Sequence, residues 1–192
     1  MFFRRQGSQL ELMRRPLPVF LLIFVLAISM GIPGRVGSQT GILVSVSPAL
    51  VLLESGESAA IEIWVENVTA LFGFEVDVQF DPQKISVSSL ALGEFLEAGW
   101  IVKSVFDNEN GSIEFDMTQT GTETESKSGS GVLISFDILL KEEVAETNLS
   151  ITSVLLTDRN GIEIPTGVQN GLVRTPSVYD VLKRVYLPLV LD

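Results

Sequence analysis

The stretch Phe72-Gly73-Phe74-Glu75-Val76-Asp77-Val78-Gln79-Phe80 sets an apolar side chain at every even position, with Glu75, Asp77 and Gln79 between them. A period of two belongs to a strand that buries one face in a core and wets the other. The pattern continues in both directions. Upstream, Ile61, Ile63 and Val65 read as inward while Glu62, Trp64 and Glu66 read as outward; downstream, Ile113, Phe115 and Met117 alternate with Glu114 and Asp116. In 132–140 the even positions are again apolar, but Leu133 and Leu139 imply partial cover on the second face as well. Further strands fit near 42–47, 101–106, 149–156 and 170–174.

The segments between these strands carry turn chemistry: Glu54-Ser55-Gly56-Glu57, Asp81-Pro82, Asn108-Glu109-Asn110-Gly111, Asp158-Arg159-Asn160-Gly161 and Gln169-Asn170-Gly171. Helical periodicity is hardly visible beyond residue 41, and only 92–99 has room for a helical turn. Residues 121–131, rich in Ser, Thr, Glu and Gly, read as a solvated loop joining two strands. About nine short strands with no helix between them predict an all-β chain built as an antiparallel β-sandwich or jelly roll.

Composition removes whole classes of chemistry. The 192 residues contain no cysteine and no histidine. Disulfides, thiolate metal sites, a cysteine nucleophile, imidazole zinc ligands and a Ser-His-Asp triad are therefore excluded. Carboxylate-only catalysis would need two acids facing each other across a cleft, and the alternation offers no such cleft. The expectation is a chain that is not an enzyme and needs no cofactor. Residues 39–192 hold 8 Lys and Arg against 23 Asp and Glu. Nucleic acid and anionic lipid would be repelled by that balance. Asp107, Glu109 and Asn110, and likewise Asp158 and Asn160, offer oxygen ligands, but neither segment completes a twelve-residue calcium loop. Turn capping accounts for them, so no metal site is expected.

Residues 1–38 read as a signal peptide. Arg4, Arg5, Arg14 and Arg15 precede an almost wholly apolar 17–32, and Val36-Gly37-Ser38 supplies a small-residue cleavage site, making Gln39 the first mature residue. The expected location is the cell surface or the medium; a membrane enters only if the leader stays uncleaved as an anchor. Residues 39–174 form the expected domain, and 175–192 a tail with the short apolar end VYLPLVLD.

Four fragments in order give the pattern a family. VTALFGFEVDVQFDPQKISVSSLALGEFL at 68–96 runs a Gly-hydrophobic strand into an aromatic-Asp-Pro turn, then a short strand and a Gly-containing segment. NGSIEFDMTQTG at 110–121, GSGVLISFDILL at 129–140 and DRNGIEIPTGVQNGLV at 158–173 follow. Together they resemble the bacterial cellulosomal cohesins over about 41–174. The resemblance implies a nine-stranded antiparallel β-sandwich of jelly-roll topology. It also implies a non-catalytic protein-interaction module that grips a dockerin-containing partner on an outer strand face, with calcium carried by the partner. The setting it implies is an extracellular assembly linked to polysaccharide degradation. A carbohydrate-binding module of similar fold is the second reading, and polysaccharide the second partner.

Candidate binding residues follow from the outward set. Glu75 falls near the place where cohesins carry an acidic dockerin contact, although Gly73 stands where several members have a polar residue. Asp77, Glu114 and Asp116 are outward neighbours if their strands adjoin. Trp64, between Glu62 and Glu66, is an outward aromatic that could anchor a partner or a sugar, or lie under a loop. Trp100 reads as core. Two Trp and two Tyr in all are few for an aligned sugar platform.

Overall fold

Alternating apolar and polar side chains lower their free energy when two sheets meet apolar face to apolar face, and this chain takes that solution. The structure is a computed structural model, and it describes residues 41–96, 99–121, 124–178 and 180–182. The leader and the apolar end of the tail lie outside the described residues. The strands are β1 (Leu43–Ser47), β2 (Leu50–Leu52), β3 (Ser58–Leu71), β4 (Gly73–Phe80), β5 (Ile85–Leu92), β6 (Gly99–Asp107), β7 (Ser112–Gln119), β8 (Lys127–Leu140), β9 (Thr147–Thr157), β10 (Gly167–Gln169) and β11 (Gly171–Arg174). One sheet has the order β10-β1-β3-β8-β5 and the other β2-β11-β9-β4-β7-β6.

Eleven strands among the described residues reconcile with the expected nine through two crossings. Pro48 and Ala49 separate β1 from β2, and Asn170 separates β10 from β11. Each pair is one chain segment that leaves one sheet and enters the other. The Asn170 side chain helps heal its break by accepting the Ile151 amide at 2.9 Å. Two pairings are parallel, β1 with β10 and β2 with β11, while every other pair is antiparallel.

The core is the set read as inward. Ile61, Ile63, Val76, Val78, Ile113, Phe136 and Ile138 are all buried, and the Phe74 and Phe115 rings stack at 5.9 Å. Leu133 is buried too, at a bulge where the β3 register steps from Ile134 to Val132, and the segment after β5 continues the pairing with β8. There the Gly93 and Phe95 amides donate to the Leu133 and Val132 carbonyls at 2.8 and 3.0 Å. The described part of 92–99 holds no helix. Residues 178 and 180–182 are helical instead, capped by Ser177 and tied back by Arg174, which donates two hydrogen bonds to Asp180 at 2.8 and 3.0 Å.

Two local expectations are corrected. The loop expected at 121–131 gives way to strand in its second half, because β8 already begins at Lys127 and pairs with an irregular stretch of β3. Asn67 and Ala70 have φ of 56° and 57° there, and their amides donate to the Ser130 and Ser128 hydroxyls at 3.0 and 2.9 Å. The serines replace ladder bonds that the bulges interrupt. Trp100 is not core but 64% exposed, because β6 is the outermost strand of its sheet.

The Asx-rich turns behave as read. Asp107 Oδ1 accepts the Glu109 and Asn110 amides at 2.7 and 3.1 Å, and Asp158 Oδ1 accepts those of Asn160 and Ile162 at 2.8 Å each. These bonds hold both carboxyls below the ordinary Asp range: the Asn110 side chain and amide lead for Asp107, the Ile162 amide for Asp158. Gly111 meets a strict demand, since its φ is 72° and a Cβ would lie 2.2 Å from the Phe80 carbonyl oxygen.

Candidate functional site

The outer face of β9-β4-β7-β6 gathers the charge. β4 buries Phe74, Val76 and Val78, which leaves Glu75, Asp77 and Gln79 on the other side; β7 buries Ile113, Phe115 and Met117 and leaves Glu114 and Asp116. The two strands are neighbours, in a register that places Glu75 opposite Asp116 and Asp77 opposite Glu114. Residues directly opposed across an antiparallel pair have Cβ atoms about 5 Å apart, and like charges there are unfavourable. Four carboxylates thus form two adjacent acid-acid rungs that folding alone would not select.

The electrostatics reflect that crowding. Burial pushes the Asp77 carboxyl above its ordinary value, and repulsion from Glu114 and Asp116 adds to the shift while Lys103 opposes it. Lys103 lies on β6 opposite Asp116 and pairs with Glu114. Its hydrogen bond to Glu114 raises its pKa, so its charge is held firmly. One cation against four anions leaves the patch strongly negative.

Apolar groups border the acids. A bulge in β6 between Ile101 and Lys103 breaks the period of two and puts Val102 over the same face. Val102 is 59% exposed and Val105, opposite Glu114, is 51% exposed. On the other flank Leu155 of β9 stands opposite Glu75. Gly73 gives the face relief. Glu75, Asp116, Val102, Leu155 and Thr157 surround it, and the hollow measures ≈ 200 Å³. A Cβ at residue 73 would stand 3.0 Å from the Thr157 hydroxyl and 3.2 Å from the Met117 carbonyl, so a side chain there would fill the hollow and press on both neighbours.

Of the residues singled out in the sequence, Glu75, Asp77, Glu114 and Asp116 come together on this one face. Trp64 does not join them. It sits on β3, in the opposite sheet, half-buried and facing away. The sequence reading missed Val102, Lys103, Val105 and Leu155. The signal available for the β6 residues was the polar Lys103 inside an apolar run; it marks a two-sided edge strand, but the bulge hides which way each side chain points. Nothing on this face pairs a nucleophile with a base. It offers clustered negative charge beside exposed apolar contacts around a shallow hollow, the composition of an interface with a cationic partner.

Comparison with known proteins adds three findings. A family model described as Cohesin domain matches residues 44–171. No curated protein sequence matches significantly. Among solved structures, the chain is similar to a non-cellulosomal cohesin from the hyperthermophilic archaeon Archaeoglobus fulgidus, at 13% identity and a TM-score of 0.60, covering 76% of this chain and 99% of that one. It is similar to the third cohesin of ScaC in complex with the ScaB dockerin from Acetivibrio cellulolyticus, at 16% identity, a TM-score of 0.61 and coverage of 71% and 99%. The same holds for the OlpA cohesin in complex with dockerin 918 from Clostridium thermocellum, at 16% identity, a TM-score of 0.59 and coverage of 71% and 99%. At these identities the structural likeness speaks to the fold.

Proposed function

The chain belongs to the cohesin-domain family, and from that premise we propose that it is a non-catalytic module whose β9-β4-β7-β6 face binds a dockerin-bearing protein. Cohesin domains are interaction modules and are typically extracellular. Export through residues 1–38 and a place in an extracellular assembly belong to this proposal, as does calcium carried by the partner.

The observation that carries the reading is the pair of rungs Glu75/Asp116 and Asp77/Glu114. Like charges set opposite each other cost stability, and a cationic partner turns that cost into attraction. Val102, Val105 and Leu155 supply apolar contact beside the charge, in keeping with affinity drawn from a small cluster. Gly73 is part of the reading, because its hollow admits a side chain of the partner where a larger residue would exclude it.

The test is capture of the full chain by immobilised calcium-loaded dockerins from proteins encoded in the same genome. Capture should require calcium and weaken as salt rises. Glu75→Arg should cut affinity by about 2–5 kcal/mol if Glu75 is desolvated in the complex, or slow association if it stays at the rim. Its melting temperature should stay near wild type, whereas Phe74→Ala should lose roughly 3–5 kcal/mol of stability through the buried ring. Capture of Glu75→Arg and Asp116→Arg as tight as wild type would move the interface off this face.

A further inference from the structure

We infer that the opposite sheet carries a second site, a shallow subsite for a neutral saccharide centred on Trp64. The observation is a concavity of ≈ 370 Å³ on the outer face of β1, β3 and β10, lined by Ser45, Ser47, Glu62, Trp64, Glu66 and Gln169. The register builds it as a cross. Along β3, Glu62, Trp64 and Glu66 share one face; across the sheet, Ser45 stands opposite Trp64 and next to Gln169, while Ser47 stands opposite Glu62.

The lining selects the ligand. Trp64 gives the concavity an aromatic wall, and such a ring packs well against an apolar surface while its edge stays polar. Around it are two carboxylates that accept, two hydroxyls that donate and accept, and an amide that does both. Among the described residues, none of these five polar side chains makes a hydrogen bond or ion pair with the protein, so all are available to a ligand. A pyranose matches this inventory. Its C–H face packs on the ring, its hydroxyls donate to Glu62 while those of a neighbouring sugar of the same polymer donate to Glu66, and its oxygens accept from Ser45, Ser47 or Gln169.

Other ligands match less well. Glu62 and Glu66 are four residues apart along one strand, about 13 Å, so they cannot converge on one metal ion or one ammonium group. Two carboxylates repel phosphates and uronates. A purely apolar ligand would leave the hydroxyls and carboxylates desolvated without partners. A neutral polysaccharide can run along β3 from one carboxylate to the other with Trp64 at its middle.

The site is independent of the acidic face, because it lies on the other sheet. The proposed function and this inference can therefore fail separately. The experiment is native affinity electrophoresis of the full chain in gels containing hydroxyethylcellulose, xylan or galactomannan, with polygalacturonate as the acidic control. Retardation is expected in at least one neutral gel and not in polygalacturonate. Trp64→Ala should weaken it by about tenfold, the factor that 1.4 kcal/mol corresponds to and the upper end of what an aromatic contact contributes. Trp64→Phe should restore part of it, and Glu75→Arg should leave it unchanged. If Trp64→Ala does not fold, Gln169→Ala and Glu66→Gln, both at exposed positions, carry the same test and should each reduce retardation. No retardation in any neutral gel overturns the inference. So does equal retardation of folded Trp64→Ala, or of both exposed-position variants, or binding to polygalacturonate as strong as to a neutral polymer.

Discussion

Asp77 is half-buried on a face where its nearest neighbours are also acids, and its carboxyl titrates above the ordinary Asp value of 3.8 mainly because burial strips water from the charged form. A raised carboxylate has a definite sign in stability. From the ordinary value up to the raised one, the folded chain binds more protons than the unfolded chain, so stability falls as pH rises through that window and stays lower above it. Asp77→Asn should therefore melt at a higher temperature than wild type at pH 7, with the gap closing as pH drops toward 3. Equal melting at pH 7, measured by calorimetry, would show that the repulsion is relieved in some other way. Side-chain direction was legible for Asp77, as for Glu75, Glu114 and Asp116, because alternation on either side of a buried Val or Phe leaves one choice. Trp100 was not legible. Its size argued for burial, and only its place on an outermost strand exposes it.

Among the strands, β3 and β8 show how composition can mislead. Ser128, Gly129 and Ser130 carry the marks of a flexible loop, yet they continue a strand whose partner is kinked at Asn67 and Ala70. The serines are there because bulges leave amides without ladder partners. Ser128→Ala and Ser130→Ala should each cost about 0.5–1.5 kcal/mol, and the amides of Ala70 and Asn67, respectively, should exchange with deuterium faster than in wild type. Unchanged exchange at both would mean that solvent already satisfies them. β6 carries a related lesson. Its existence as a strand was plain in 101–106, but a bulge of one residue reverses the side-chain direction within it, and no local pattern announces such a bulge. Lys103 puts a charge in the middle of that largely apolar edge, one of the ways in which exposed strands resist pairing with other chains.

At the scale of the molecule, the sandwich class was readable because most of the long strands carry their own period, whereas strand neighbours were not. Adjacency of β4 and β7 joins residues some 40 positions apart, and opposition of the two sheets separates Trp64 from the acids; both are consequences of long-range pairing. The family resemblance carried the order of strands further than periodicity could. It did not foresee the two crossings, in which 43–52 and 167–174 run side by side and in the same direction through both sheets. That arrangement governs how the domain bears load. Tension that enters at Leu43 and leaves at Arg174 pulls two parallel, adjacent segments past each other along their length, so their bonds must give way together and not one by one. A module held at its ends while a partner drags on it would be locked in shear. In single-molecule pulling through those ends, Gly167→Pro, which removes the amide that donates to the Ile42 carbonyl at 3.0 Å, should lower the rupture force and quicken forced unfolding, a process set by the unfolding rate. An unchanged force would place the mechanical lock elsewhere in the sandwich.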